Sequence, residues 1–341
     1  MRIYSEDGWV NWSSIYPDIK GFCMMVGARG IGKTYGLLRY LREHNIKFIY
    51  LRRLKTQLDE CGDLAGNPFK KINTDTGSLI LPYKTKTGIR FCSSEITNNK
   101  PVPVGDPVAL GVALSTVATI RGVDYSDVDC IVFDEAVAML GEKPIKNEFQ
   151  SFLNFYETVN RNREIEGKEP VKAFLLGNAN RLGNPYFVGW GMMRIALNMI
   201  KGRQMVYRTP DNSRILILLL NSPISERKRS TVLYKNASDD FMEMALDNAF
   251  RTDETNIKSV PLREYNHVVS VGEIGFWIHK SSRQLYVSKK TDKNNYYDDF
   301  GIRLKMFLCE YAIFKIKYFA GKLLFEDYET ELIFREYFDI N

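Results

Sequence analysis

Short apolar runs punctuate the first two hundred residues, at 22–26, 48–51, 108–114, 128–133 and 173–176. Each is long enough for a buried strand and too short for a core helix. Between them apolar positions recur at helical spacing: Leu37, Leu38 and Leu41 form one stripe, and Phe149, Phe152, Leu153, Tyr156 and Val159 another, which predicts a helix over 147–164. Strands alternating with helices predict a mostly parallel sheet covered by helices, an α/β fold. The longest apolar run, 215–220, is six residues, against roughly 20 for a membrane helix, and reads as another buried strand.

Beyond Thr209 the pattern changes. Pro210-Asp211-Asn212, Pro223 and the basic run Arg227-Lys228-Arg229 precede a short helical stretch at 238–250, so 209–253 reads as a small linker subdomain. The tail, 254–341, gives strands at 267–270, 275–279 and 284–287, a long aromatic helix at 303–319, a strand at 323–325 and a final helix. The expected division is 1–208, 209–253 and 254–341.

Composition narrows the function. With 341 residues, 45% hydrophobic and 26% charged, the chain is an ordinary globular protein of about two domains. Five cysteines without a CxxC pair and only three histidines argue against a disulfide framework or a zinc centre and for a reducing, cytoplasmic setting. The first twenty residues mix charges with tryptophans, so no secretory leader is expected. A net charge of +6 suits a polyanionic partner.

The chemistry is concentrated in three places. Gly27-Ala28-Arg29-Gly30-Ile31-Gly32-Lys33-Thr34 follows an apolar run and opens a helical stripe, the context a phosphate-binding loop demands. Its glycines allow backbone N–H groups to wrap phosphate oxygens, Lys33 reaches the β- and γ-phosphates, and Thr34 can ligate Mg²⁺. A hundred residues on, the apolar run 130–133 ends in Asp134-Glu135. On a strand expected to abut the P-loop strand, Asp134 would hold the Mg²⁺ shell and Glu135 polarise the attacking water, which makes an ATPase rather than a simple nucleotide binder. The run 173–176 leads to Asn178, placed to sense the γ-phosphate, with Asn180 in reserve, or else the two asparagines simply shape a turn.

Basic residues suggest contacts beyond one chain. At about 100° per residue, Arg163 falls near the stripe of the 147–164 helix and Arg161 about 130° from it, pointing outward. An outward arginine can serve a neighbouring subunit's ATP as a trans-acting finger, or be solvated surface. Arg52, Arg53 and Lys55 could contact a neighbour's nucleotide or a phosphate backbone, or be ordinary surface charge. Lys143 and Lys146 could grip phosphates from a loop facing a channel, with solvation as the alternative.

With these motifs assembled, the chain resembles the DNA-packaging ATPases (encapsidation proteins) of phi29-like tailed phages. The likeness rests on the P-loop at 26–34, Ile49 to Lys55 (IYLRRLK), Ile131 to Glu135 (IVFDE), Thr158 to Glu164, and Asn184 to Phe187 (NPYF), with weaker echoes at 225–228 and 244–248. It implies a RecA-like P-loop ATPase domain of the additional-strand, catalytic-glutamate (ASCE) class. It implies ATP and Mg²⁺ as cofactors, a homomeric and pentameric ring at the portal vertex of a prohead in the host cytoplasm, double-stranded DNA as substrate and a packaging RNA as partner, with no membrane. It also implies that Arg161 is the trans-acting finger, and that the tail is an RNase H-like nuclease fold without its chemistry. The first tail strand, His267-Val268-Val269-Ser270, carries no acid, and Glu310 and Asp327 are two scattered candidates where clustered carboxylates are needed. Lys280, Arg283, Lys289 and Lys290 could form a basic patch on that tail, or be ordinary solvated surface. Two other readings stay open: a terminase with an active nuclease, and a nucleotide-gated binder of RNA or capsid.

Overall fold

The computed structural model describes residues 1–119, 123–139, 142–178, 183–220, 222–237, 242 and 256–340. The chain folds as two compact units, one built from Met1–Val137, Asn147–Asn180 and Arg194–Phe250, the other from Ala138–Lys146, Arg181–Met193 and Arg251–Asn341.

The first unit is a ten-stranded sheet. Its strands are β1 (Phe22–Gly27), β2 (Phe48–Arg52), β3 (Ile80–Lys84), β4 (Ile89–Thr97), β5 (Lys100–Pro103), β6 (Ala109–Ala113), β7 (Cys130–Phe133), β8 (Lys172–Gly177), β9 (Val206–Arg208) and β10 (Arg214–Leu219). They lie in the order β3-β4-β6-β2-β7-β8-β1-β10-β9, with β5 paired to β4. The six strands from β6 to β10 along this path are all parallel. These are the six apolar runs: buried on both faces, they need no polar alternation.

Two expectations are corrected, and a third feature was not anticipated. The acid-bearing strand β7 does not abut the P-loop strand, because β8 lies between them and pairs with both. Strand β10, placed by sequence in the 209–253 linker, belongs to the sheet as the neighbour of β1. An antiparallel ribbon, β3-β4-β5, extends the sheet beyond β6. Its Pro82, Pro101 and Pro103 cannot donate ladder hydrogen bonds, which suits edge positions and conceals the strands from periodicity. The predicted helix at 238–250 lies outside the described residues, apart from the single position Met242.

The helix Lys33–Glu43 buries Leu37, Leu38 and Leu41 completely. At about 1.5–3 kcal/mol each, these three leucines outweigh the roughly 1 kcal/mol that a glycine costs in a regular element, such as Gly36 inside this helix. The helix expected to reach 164 spans Glu148–Asn160 and stops there. Buried Asn160 turns its side chain away to accept from the Val171 N–H at 2.8 Å, which draws the chain back toward β8.

The second unit holds a five-stranded sheet of β11 (Tyr265–Val271), β12 (Ile274–His279), β13 (Leu285–Ser288), β14 (Tyr296–Tyr297) and β15 (Leu323–Phe325), in the order β14-β11-β12-β13-β15. The three-strand meander, helical segment, strand and last helix occur as the sequence predicts. The expected single helix 303–319 is two, Gly301–Glu310 and Ala312–Phe319, broken at Tyr311. The Tyr311 hydroxyl takes a hydrogen bond from Asn295, and its ring stacks between Phe307 and Phe314. The core is aromatic: Phe276 lies face to face with Phe314 at 4.2 Å and packs on Phe307, Phe334 and Phe338. Among the described residues no helix is long and apolar enough to cross a membrane.

Candidate nucleotide site

The C-terminal ends of β1, β8, β7 and β2 bring the predicted chemistry together, as parallel sheets do with their ligand sites. The loop after β1 turns through Gly30 (φ 64°) and Gly32 (φ 90°), conformations that a side chain resists, and runs into the helix that opens at Lys33. Lys33 is 9% exposed. Its Nζ donates to the carbonyl oxygens of Gly27 (2.8 Å) and Ala28 (2.6 Å) and to Asn178 Oδ1 (3.1 Å). Burial pushes its pKa down to about 7, against the pull of Asp134, and Lys228 and Arg29 push the same way. Asn178, at the tip of β8, is therefore in contact with the P-loop lysine; Asn180 lies outside the described residues.

Asp134 is the hub of the site. Its Oδ1 accepts from Thr34 Oγ1 at 2.6 Å, and its Oδ2 accepts from the buried Tyr50 hydroxyl at 2.7 Å and from Arg52 Nη1 at 3.1 Å. Glu135 accepts from Arg52 Nη2 at 2.5 Å. One guanidinium thus spans both carboxylates. Glu135 has φ 52°, a left-handed conformation that a glutamate pays about 1 kcal/mol or more to adopt. The oxygens of Thr34 and Asp134 are hard donors of the kind Mg²⁺ takes, and they already touch.

The basic residues differ in where they fall. Arg52 meets the acids of its own chain. Arg53, a candidate nucleic-acid contact, is 1% exposed and makes a two-pronged ion pair with Glu148, itself 3% exposed, at 2.8 and 2.7 Å. It ties the end of β2 to the helix Glu148–Asn160 and cannot reach a phosphate backbone. Lys55 is half exposed and paired with Asp59 one turn along its helix. Lys143 is exposed, and Lys146 lies 3.7 Å from Asp299; both belong to the second unit. Arg161 stands just past the helix end with φ 47°, 53% exposed, 3.5 Å from Asp124. Arg163 is folded in against Asp129 and the Val128 carbonyl.

Sequence reasoning missed three contributors, Tyr50, Trp12 and Lys228, and the role of a fourth, Arg52. Tyr50 and Arg52 sit on β2, beside the acids only because β2 pairs with β7. Trp12 donates from Nε1 to the Gly32 carbonyl at 3.2 Å. Lys228, from the basic run assigned to the linker, donates to the Arg29 carbonyl in the P-loop. Within the second unit, Asp327 caps the helix Tyr328–Tyr337 by accepting from the Thr330 N–H and hydroxyl, and Glu310 accepts from the Tyr297 hydroxyl. Among the described residues no group of three or more His, Cys, Asp or Glu is arranged to hold a metal ion.

Over 279 residues the chain is 28% identical to the "DNA packaging protein" of Bacillus phage B103, covering 79% of this chain and 77% of that one. The "DNA packaging protein" of Bacillus phage phi29 is 28% identical over 277 residues, 79% of this chain and 75% of the relative. Among solved structures, "The Phi-28 gp11 DNA packaging Motor" matches with a TM-score of 0.61 at 19% identity over 98% of both chains, a likeness of fold. The family model described as Podovirus DNA encapsidation protein (Gp16) matches residues 11–304, and the chain belongs to that family.

Proposed function

We propose that this chain is an ATP-hydrolysing motor subunit that drives double-stranded DNA into a preformed procapsid. The single observation that carries the reading is the convergence of Lys33, Thr34, Asn178, Asp134 and Glu135 at one end of one sheet, although 100 residues separate Thr34 from Asp134. Residues Gly27, Ala28, Arg29, Gly30, Ile31 and Gly32 would hold the phosphates through backbone N–H groups. The Lys33 ammonium, now spent on two carbonyls and Asn178, would turn to the β- and γ-phosphates. Thr34 and Asp134 would hold Mg²⁺, which supplies charge neutralisation on the phosphate oxygens when bound. Glu135 would orient a water and accept its proton as the bond between the γ-phosphorus and the bridging oxygen breaks. For that its carboxylate must exchange Arg52 for water.

The insertion of β8 between the P-loop strand and the acid strand supports a RecA-like, ASCE-class unit, since it brings Asn178, the proposed sensor, to 3.1 Å from Lys33. The exposed Arg161 supports a trans-acting finger in a homomeric, pentameric ring. Such a ring would act at the portal of a prohead in the host cytoplasm, with a packaging RNA as a further partner. The meander, helices, strand and helix of the second unit support an RNase H-like module without nuclease chemistry, because Asp327 is engaged as a helix cap and Glu310 by Tyr297. Exposed Lys143 remains a candidate for phosphate contact, and Lys146 with it. The test is ATP turnover by the natural chain with and without prohead and DNA: stimulation on assembly supports the motor, whereas ATP bound and never hydrolysed in the full assembly contradicts it.

A further inference from the structure

The segment ahead of β1 forms one wall of a cleft of about 650 Å³ that also takes in Gly30 and Gly32 of the P-loop and Tyr35, Arg39 and Tyr40 of the helix behind it. That volume suits a small-molecule site. The segment is bolted to the loop and the sheet. Val10 N donates to the Ile31 carbonyl at 3.2 Å, Trp12 Nε1 to that of Gly32 at 3.2 Å, and the Tyr4 hydroxyl to that of Leu220, just past β10, at 3.0 Å. Ser5 and Trp9 close a turn, Ser5 N donating to the Trp9 carbonyl at 2.8 Å and Trp9 N to Ser5 Oγ at 3.1 Å. The Trp9 indole, 47% exposed, is held so near the loop that a Cβ at Gly32 would stand 3.4 Å from its ring.

A single exposed apolar side chain needs no explanation. An indole fixed at a cleft that includes the phosphate loop is a different case. A second cleft, of about 480 Å³, is lined by Thr34, Tyr50, Arg52 and Asp134, with Lys71 and Glu60 beside them, and so takes in the residues proposed above for Mg²⁺. The first, with its indole and phenol rings, offers the complementary surface. The geometry points to Trp9 as the stacking platform for the base of the nucleoside triphosphate, with the ribose passing beside Tyr35 between the two clefts. This rests on the nucleotide-site reading above.

The experiment compares ATP with inorganic tripolyphosphate, which shares the phosphates and lacks the base, by calorimetric titration of the full chain and of its Trp9→Ala and Trp9→Phe variants. Base stacking on an aromatic side chain typically gives a tenfold effect or more. Trp9→Ala therefore weakens ATP binding about tenfold, leaves tripolyphosphate within about twofold, and Trp9→Phe restores most of the ATP affinity. Unchanged ATP affinity in Trp9→Ala, or equal losses for both ligands, overturns the assignment while leaving the P-loop reading intact. Failure of the natural chain to bind either ligand overturns both.

Discussion

Arg52 Nη2 lies 2.5 Å from Glu135 Oε2, and the same guanidinium lies 3.1 Å from Asp134. Two adjacent carboxylates would repel in a half-buried site, and Arg52 offsets that repulsion. Arg52→Ala is expected to cost about 1–3 kcal/mol, less than a fully buried pair because the Glu135 side chain is 43% exposed. Chemical denaturation measures it, and an unchanged midpoint would show that the clamp does not stabilise the fold.

The Arg53–Glu148 pair has almost no contact with solvent. Removing one partner strands a buried charge, so Arg53→Ala should destabilise by about 3–5 kcal/mol. If Arg53→Ala kept full stability and instead lost DNA affinity, the residue would be a nucleic-acid contact after all.

Arg161 and Asp124 form an exposed pair that solvent and salt screen. Arg161→Ala should therefore leave the melting temperature almost unchanged, yet lower ATP turnover in the assembled motor by about 10³-fold. An Arg161→Ala assembly that hydrolyses ATP at the normal rate removes the trans-acting role.

Lys33 gives a pH signature. Its pKa is pushed from 10.5 down to about 7 in the folded chain. Between those values the unfolded chain binds more protons, so this group's penalty on stability is greatest below pH 7 and is relieved as the pH rises toward 10.5. Phosphate demands the charged amine. Nucleotide binding at pH 8 should therefore take up close to one proton and at pH 6 almost none, read by titration in buffers of different ionisation heat. Heats independent of the buffer at pH 8 contradict it.

What the sequence discloses is local. The six parallel strands are legible because burial on both faces makes each a continuous apolar run, and the P-loop because its glycines, lysine and threonine are contiguous. Strand order is not: nothing in the 173–176 run says that it lies between β1 and β7. The fates of Arg52 and Arg53 depend on Glu135 and Glu148, 83 and 95 residues away, and adjacent arginines look alike until β2 is paired. The stop at Asn160 depends on a hydrogen bond to Val171, which helical periodicity cannot register. Trp9 carries no motif, and its place beside Gly32 comes from the bonds of Val10 N to the Ile31 carbonyl and of the Tyr4 hydroxyl to that of Leu220.

The most direct test of the shared site is steady-state phosphate release by the assembled motor, natural chain against Glu135→Gln, with ATP affinity measured alongside. The account predicts that Glu135→Gln binds ATP within a few-fold of the natural chain and releases phosphate at least about 10²-fold more slowly. Undiminished release by Glu135→Gln would contradict it, because water would then be activated somewhere other than beside Lys33.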